Sequence, residues 1–392
     1  MTADPLGALV PGCEPTDGPE PETGPLAGLS VVVKDVIDVA GAVTGGGNPD
    51  WAAAHKPVRA DAPAVAALKR SGVRLIGKGQ CAELAFSLSG DNVHFGMPVN
   101  SAAPDRDPGG STSGPASAVA GGLAQLGIGT DTLGSIRVPA SYCGLFGFRP
   151  THGRIPIGGV MPLAQSFDTV GLLAGTSDHL RRAAMALLGG DAGEGSAAPR
   201  QLLLSPVLLD AADPEVAEAT RQTADDLARR LGSVLSETQL LDDAPTPAEG
   251  MAAFNVLQGA QVWRNYGVWI ERSSPSLGPD IAARFERAAG FGQRDVEEAE
   301  PAALAVATAV ARLGPDEALV LPATGTPAPG REAGGDERER ARVSAGQLTS
   351  IATLAGAPAV AMPLLEVRGL PVGISLVGAP GSDLGLLAAA AA

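Results

Sequence analysis

Two short segments place serines on glycine-rich turns, where a hydroxyl can act as a nucleophile. The first, GGSTSGPASAVAGG (109–122), carries Ser111 and Ser113. The second, GTDTLGSIRVPASYCG (129–144), delivers Ser135 at the exit of a tight turn. Successive backbone N–H groups in such a turn converge on an anion. A serine hydroxyl beside them suits acyl transfer, because the N–H groups can hold the oxyanion of a tetrahedral intermediate.

A nucleophilic serine needs a base, which is usually a histidine. His152 is the only histidine close in sequence to Ser135, and the chain has no GxSxG elbow. A second candidate base is Lys34, which interrupts the apolar segment LSVVVKDVIDV (29–39). Burial lowers the pKa of a lysine, and a base that acts at neutral pH needs a decrease of about 3 units. Lys78 in LIGKGQ is a rival base on the same grounds.

Each of these features also has a structural interpretation. Lys34 can pair with a neighbouring carboxylate, either Asp35 or Asp38, because a buried lysine is usually paired. The GGSTSG turn can be a plain loop, and Ser135 can be a helix or turn cap. The occurrence of all three elements in this order favours the catalytic interpretation.

The composition argues against several other classes of function. The chain has 392 residues, a hydrophobic content of 45% and a formal net charge of −15, so nucleic acid and anionic membrane surfaces are not expected as partners. No apolar segment reaches about 20 residues, and the N-terminus does not resemble a secretory signal, so a cytoplasmic enzyme is expected. The three cysteines (Cys13, Cys81 and Cys143) and four scattered histidines form no metal-ligand pattern.

The remaining pattern predicts the elements that position these residues. Residues 1–25 are expected to form an extended lead-in with little order, and the rest of the chain is long enough for one large α/β domain or two smaller ones. Segment 61–77 combines a helix with the short strand VRLIG, which is typical of a βα unit. Residues from about 200 to 315 are expected to form a helical block that covers the sheet and walls the substrate pocket. Residues 330–342 are expected to form a charged surface loop.

At these segments the chain resembles the amidase signature family. The resemblance runs through GPLAGLSVVVKDVIDVAG, PGGSTSGPASAVAGG, LGIGTDTLGSIRVPASYCGLFGFRPTHGRI and MPLAQSFDTVG, and resumes at LVLPAT and GLPVGISLVG. Within the family, GGGNPDW, SGDNVHFG and NYGVWIERSSPSLGPDI are most similar to the indole-3-acetamide hydrolase branch known from plants. The resemblance implies a single α/β domain over 26–392, built on a large mixed, twisted sheet with helices on both faces, and no cofactor.

The resemblance also implies a Ser-Ser-Lys triad and an acyl-enzyme intermediate. By motif, Lys34 is the base, Ser111 the bridging serine and Ser135 the nucleophile. The family's bridging serine follows a cis peptide bond, which here joins Gly110 to Ser111.

Further roles follow from the same resemblance. The oxyanion and substrate-binding positions are Thr132, Leu133, Gly134 and Ala85, with the N–H of Ser135 as a further donor. The supporting positions are Thr112, Asp131 and Arg137. Arg137 is expected close to Asp131, where it stiffens the loop. The chain departs from the family at Leu133, where TDTGGS has glycine, and at Ser113, where GGSSGG has glycine.

The expected function is the hydrolysis of a small carboxamide to a carboxylic acid and ammonia, with an arylacetamide such as indole-3-acetamide as one candidate. One alternative is the A-type subunit of a glutamine-dependent amidotransferase. Another is a non-catalytic receptor or interaction module that keeps the fold and has lost the nucleophile. The joint presence of Lys34, Ser111 and Ser135 favours an enzyme. The oligomeric state stays open, with a homodimer as one option.

Overall fold

A computed structural model describes residues 4–12, 23–189 and 197–392. Its strands are β1 (Ser30–Lys34), β2 (Arg74–Gly79), β3 (Leu126–Asp131), β4 (Phe146–Arg149), β5 (Thr169–Ala174), β6 (Gln201–Leu204), β7 (Val234–Glu237), β8 (Glu317–Pro322), β9 (Ala359–Val367) and β10 (Leu370–Gly378). Its helices are α1 (Pro49–Ala54), α2 (Pro63–Arg70), α3 (Ser113–Ala120), α4 (Arg137–Tyr142), α5 (Ser177–Leu188), α6 (Pro206–Leu209), α7 (Pro214–Leu231), α8 (Pro247–Ser273), α9 (Pro279–Ala289), α10 (Gln293–Ala311), α11 (Gly335–Leu354) and α12 (Asp383–Ala391).

In the described ranges, ten strands form one sheet in the order β2-β1-β3-β5-β4-β9-β10-β8-β6-β7. At one end, β1 runs parallel to both β2 and β3. The central strands pair antiparallel, from β3 through β10 to β8. At the other end, β6 runs parallel to both β8 and β7. The prediction of a single α/β domain on a large mixed sheet is confirmed.

Helices cover both faces of this sheet. Successive side chains of a strand point to opposite faces, and β8 shows the two environments. Ala318 and Val320 pack in a core that includes residues of α5, α7 and α12. Leu319 and Leu321 pack in a second core with residues of α8, α10 and α11. A strand buried on both faces needs apolar residues at consecutive positions, which explains the uninterrupted segment ALVL.

The apolar segment 29–39 is not one long strand. β1 ends at Lys34, and a turn follows in which the Ile37 N–H donates to the Lys34 carbonyl at 3.0 Å. Val36 and Ile37 are buried in this turn, so the apolar character continues although the strand does not. The parallel strands β1 and β3 therefore end at one sheet edge, at Lys34 and Asp131.

Three expectations differ from the structure. The block from about 200 to 315 contains β6 and β7 between its helices, so it extends the sheet as well as covering it. The expected loop at 330–342 is helical from Gly335, where α11 begins. Within the lead-in, Leu9 forms a β-bridge to Gly79 and Ala8 is fully buried, so residues 4–12 are ordered. Residues 1–3 and 13–22 of the lead-in lie outside the described residues.

Among the described residues, no helix has the length and apolar character needed to cross a membrane. In the same ranges, no group of three His, Cys, Asp or Glu side chains is arranged to hold a metal ion.

Candidate active site

Lys34 is fully buried at the end of β1, and its partners are hydroxyl groups. Its Nζ donates to Ser111 Oγ at 2.8 Å and to Thr130 Oγ1 at 2.7 Å. In the described part of the chain, no carboxylate forms an ion pair with it, so the alternative pairing with Asp35 or Asp38 does not occur. Burial lowers the pKa of Lys34 to about 8, against the opposing effect of nearby acidic groups.

Lys78, the rival base, has an ionic partner instead. Its Nζ lies 3.1 Å from Asp35 Oδ1, and both side chains are buried. The same ammonium donates to the Val43 carbonyl at 3.2 Å and to Thr44 Oγ1 at 3.0 Å. A carboxylate at this distance stabilises a charged lysine, so Lys78 has the surroundings of a structural cation and not of a base.

Ser111 is held in a turn of glycine and serine directly before α3. The peptide bond between Gly110 and Ser111 is cis, as the family resemblance implies. A Cβ on Gly110 would lie 2.1 Å from the Ser89 carbonyl oxygen, so the backbone can pass here only as glycine. The Ser111 carbonyl accepts from the Ala82 N–H at 3.2 Å, and its hydroxyl accepts from Lys34. These contacts point the hydroxyl at the end of β1.

The loop after β3 carries four backbone N–H groups that donate to no protein acceptor in the described ranges. They belong to Thr132, Leu133, Gly134 and Ser135. The next N–H group in the chain, that of Ile136, donates to Asp131 Oδ2 at 3.2 Å. Gly134 has φ of +146° and a Cβ there would lie 2.8 Å from Thr349 Cγ2, so this position requires glycine. Unpaired N–H groups next to a serine hydroxyl are what an oxyanion site needs.

Leu133 fits this loop without a left-handed backbone. It is absent from the non-glycine residues with positive φ in the described ranges, so the departure from the family's glycine introduces no strain of that kind. Its side chain packs in the core formed with α8, α10 and α11, and it also lines the cavity at Ser135. Leu133 therefore contributes a wall to the site while its N–H stays available.

A buried charge network holds the loop in place. The Arg137 Nε donates to Asp131 Oδ2 at 3.0 Å, and Arg149 Nη1 donates to Asp131 Oδ1 at 3.0 Å. Burial acts to raise the pKa of Asp131, but the two guanidinium groups outweigh it and lower this pKa well below its usual range. Asp168 completes the network by accepting from Thr132 Oγ1 at 2.6 Å. Asp131 thus stays ionised and fixes both ends of the turn that delivers Ser135.

Ser135 opens on a small cavity that adjoins a larger one. The small cavity has a volume of about 30 Å³ and is also lined by Ala85, Thr132 and Leu133. The larger cavity has a volume of about 480 Å³. Four residues line both of them: Ser87, Leu88, Arg284 and Arg342. The small cavity has room for about one water molecule, so a substrate has to extend into the larger one.

Comparison with known proteins decides the family. A sequence model of the amidase family matches residues 14–387. Amidase 1 of Arabidopsis thaliana is 36% identical over 385 residues, which cover 91% of this chain and 90% of that protein. The chain belongs to the amidase family. It is therefore a carbon–nitrogen hydrolase, and the expected similarity to a plant branch is confirmed.

Three further similarities place this amidase among its relatives. The translocon at the outer membrane of chloroplasts 64 of Pisum sativum is 32% identical, over 95% of this chain and 67% of that protein. The A-type subunit of glutamyl-tRNA(Gln) amidotransferase from Methanospirillum hungatei is more distant, at 28% identity over 91% of this chain and 89% of that protein. A crystal structure of an amidase superposes with a TM-score of 0.81 at 29% identity, covering 94% of this chain and 84% of that one.

The structure of this amidase brings together most of the residues that the motifs single out. Lys34 contacts Ser111, Arg137 contacts Asp131, and Ala85 shares a cavity with Ser135. In the described residues, no hydrogen bond joins the hydroxyls of Ser111 and Ser135.

Thr112 lies beside this group rather than in it. Its hydroxyl donates to the Thr130 carbonyl at 3.3 Å, which ties the start of α3 to β3. His152 lies apart, because its ring contacts the Gln165 carbonyl at the surface of the amidase.

Sequence reasoning missed several residues of the amidase site. Arg149 follows the apolar strand segment FGF, so the signal that singles out Lys34, a charge at the end of a buried strand, also applies to it. Thr130 and Asp168 gave no such signal, because their role depends on which strands are neighbours. Two polar groups from α8 (Asn255 and Gln258) and two arginines from α9 and α11 (Arg284 and Arg342) line the cavity and belong to distant segments.

Proposed function

We propose that this amidase hydrolyses a small carboxamide to a carboxylic acid and ammonia through Lys34, Ser111 and Ser135. The observation that carries the proposal is the environment of Lys34. Its amine is buried, lies 2.8 Å from Ser111 Oγ, and has no carboxylate partner among the described residues. A pKa of about 8 leaves a useful fraction of this amine neutral near physiological pH.

The proton path of the proposed reaction runs through two hydroxyl groups. Neutral Lys34 Nζ takes the proton of Ser111 Oγ, and Ser111 Oγ takes the proton of Ser135 Oγ. Ser135 Oγ then attacks the amide carbonyl carbon and forms a C–O bond. When the tetrahedral intermediate collapses, the C–N bond breaks and the same relay returns the proton to the departing nitrogen, which leaves as ammonia. Water then attacks the acyl ester and releases the acid.

The loop after β3 supplies the proposed oxyanion site. The backbone N–H groups of Thr132, Leu133, Gly134 and Ser135 have no protein acceptor in the described ranges. One such donor typically contributes ~3 to 4 kcal/mol to transition-state stabilisation. The Asp131–Arg137 ion pair keeps the loop from rearranging, so the donors are in place before charge develops.

The step from Ser111 to Ser135 requires a hydrogen bond that forms with substrate. Catalytic hydrogen bonds are often long in enzymes without substrate and shorten in the Michaelis complex. A carbonyl seated against the N–H groups of the loop would turn Ser135 Oγ toward its target and its proton toward Ser111. Within the described ranges, neither serine hydroxyl has another protein partner that would compete, Lys34 apart.

The proposal also includes a cytoplasmic location, an arylacetamide as one candidate substrate, and a homodimer as one option for the assembly. The amidotransferase A-type subunit, like the non-catalytic module, is tested by the same experiment, because neither predicts unassisted turnover of free amides.

The test is ammonia release from a panel of aliphatic and aryl primary amides, including indole-3-acetamide. Wild type is expected to turn over at least one of them, and Ser135→Ala is expected to turn over none. Ser113→Ala is the matched control, because Ser113 lies on the same serine-rich turn as Ser111 and its buried hydroxyl has no hydrogen-bond partner among the described residues. A fluorophosphonate probe should label wild type and Ser113→Ala but not Ser135→Ala. Absence of both turnover and labelling in wild type would refute the proposal and favour the non-catalytic module.

A further inference from the structure

The charged side chains that line the cavity at Ser135 are arginines, although carboxylates such as Asp280 and Glu339 line the larger cavity beyond them. Two residues that line the cavity at Ser135 carry charge, Arg284 on α9 and Arg342 on α11, and no acidic residue of the described ranges lines it. The apolar lining consists of Ala85, Phe86, Leu88, Leu133 and Leu163. Both arginines also line the larger cavity, so they lie where the two spaces meet. A molecule that extends from Ser135 toward the larger cavity has to pass them.

Arg284 has no ionic partner in the part of the chain that the structure describes. Its half-buried guanidinium makes neither a hydrogen bond nor an ion pair there, whereas Arg342 Nε donates to Glu339 Oε2 at 2.6 Å. Burial and the neighbouring positive charges of Arg342 and Arg287 lower the pKa of Arg284 to about 10, although the carboxylates of Glu339 and Asp280 nearby act in the opposite direction. A guanidinium has five N–H donors and is costly to desolvate without an acceptor. An unpaired arginine beside two others therefore calls for an anion.

We infer that the substrate carries a carboxylate at the end opposite its amide, and that Arg284, supported by Arg342, binds this carboxylate. The inference rests on the proposed function, because it takes Ser135 as the point of attack. A planar guanidinium matches a carboxylate with two parallel hydrogen bonds, so the interaction fixes direction as well as affinity. Ser135 and Arg284 line the same small cavity, so the amide and the carboxylate of the substrate lie close together, as in a short monoamide of a dicarboxylic acid.

A neutral amide would fit this cavity less well for an electrostatic reason. It would cover the Arg284 guanidinium with apolar surface and leave its donors without acceptors. The two side-chain amides that line the cavity, Asn255 and Gln258, cannot supply the missing negative charge. The same arrangement would favour a substrate that carries a carboxylate and disfavour an uncharged arylacetamide of similar size.

The first experiment compares substrates that differ only in the charge. The pairs are malonamate with propanamide, succinamate with butanamide, and glutaramate with pentanamide. For the best pair, wild type is expected to show kcat/KM at least about 30-fold higher for the anion, as is typical for a desolvated, hydrogen-bonded charge pair. Arg284→Met should remove the preference, so that the ratio of kcat/KM for the anion to kcat/KM for its neutral partner falls to about 1, and Arg284→Lys should restore part of this ratio.

Arg294→Met is the matched control, because Arg294 lies on α10 with an exposed side chain and pairs with Glu298. It should leave the preference unchanged. Equal kcat/KM for the two members of every pair in wild type, or a preference that survives Arg284→Met, would overturn the inference while the proposed function stands.

A binding measurement separates the inference from the proposed function. Malonate, succinate and glutarate are titrated into wild type and Arg284→Met by calorimetry. At least one is expected to bind wild type, and about 30-fold more weakly or not at all to Arg284→Met. If no amide of either kind is hydrolysed, the proposed function fails and this titration alone decides the role of the arginine. Absence of binding by all three dicarboxylates in wild type would overturn the inference.

Discussion

Lys34 and Lys78 lie on neighbouring parallel strands and are both buried, but they have opposite kinds of partner. Lys34 donates to two hydroxyl groups, at 2.8 and 2.7 Å, and has no carboxylate beside it in the described residues. Lys78 lies 3.1 Å from the buried carboxylate of Asp35. The strand register explains the difference, because Val33 of β1 is aligned with Lys78 and Lys34 with Gly79. Successive side chains alternate, so the two ammonium groups leave the sheet on opposite faces.

This comparison shows that burial alone does not make a lysine a base. Burial lowers the pKa of any lysine, but a carboxylate restores the charged form. Lys34 faces the side of the sheet where α3 packs and where Ser111 and Thr130 provide hydroxyls. Lys78 faces the turn after β1 that contains Asp35 and Thr44. The partner on each face decides whether the lysine can exchange a proton or only holds the fold.

The largest expected effect is on turnover in Lys34→Met. Methionine keeps the volume and removes the amine, so the protein should fold while kcat falls by about 10²- to 10⁴-fold, the range of a general acid–base group. Ammonia release measures the loss, and urea unfolding checks that the variant is folded. Full activity in this variant would contradict the base assignment.

Lys78→Met should instead reduce stability. Removal of the ammonium leaves Asp35 buried without its ionic partner, which is expected to cost about 3 to 5 kcal/mol in the free energy of unfolding. Turnover per folded molecule should stay within about tenfold of wild type. Adding Asp35→Asn to this variant should recover much of the loss, because the uncompensated charge disappears. A variant of normal stability that has lost turnover would identify Lys78 as the base.

The pH dependence of the rate should follow Lys34. Its pKa is lowered to about 8, and the neutral amine is the active form, so kcat/KM should rise with pH through about 8 and level off above it. Each pH unit below the midpoint should cost about tenfold. Lys78→Met should give the same curve, measured with an amide that does not titrate in this range. A rate independent of pH from 6 to about 10 would count against a titrating lysine.

Thr130→Val should give the smallest effect of the series. It removes one of the two hydroxyls that accept from Lys34 while keeping the side-chain shape. Loss of an acceptor disfavours the ammonium form, so the midpoint of the pH–rate curve should move down by about 0.5 to 1 unit. The matched substitution beside the other lysine, Thr44→Val, should leave that midpoint in place. An upward shift in Thr130→Val would show that the hydroxyl does not act as an acceptor.

The parts of the fold that the sequence predicts are those with strong local patterns. α7 extends from Pro214 to Leu231 and ends at Gly232 in a left-handed conformation, as its apolar periodicity and flanking residues indicate. β6 and β7 escaped prediction because each has only four residues, which is too short for a period to be read. The first turns of α11 escaped it because they are exposed and charged, so no apolar face marks them.

The site also has residues that local motifs predict and residues that they do not. The motifs, together with the family resemblance that they carry, were enough to select Lys34, Ser111 and Ser135 and to predict the cis bond at Gly110–Ser111, which is confirmed. They were not enough to find Thr130, because its contact with Lys34 depends on the pairing of β1 with β3. Arg149 could have been singled out by the same reasoning as Lys34, because it is a second charged residue at the end of a buried strand.

The family, the α/β class and the residue types available for acyl transfer can be read from the amino-acid sequence, because they depend on local motifs and on composition. The packing of the folded chain determines which buried lysine contacts hydroxyls and which contacts a carboxylate, since adjacent strands direct the two side chains to opposite faces of the sheet. It also decided that Arg284 lines the cavity of Ser135. That placement comes from the packing of α9, and no local pattern in the chain encodes the distance between a helix and a loop so far apart in sequence.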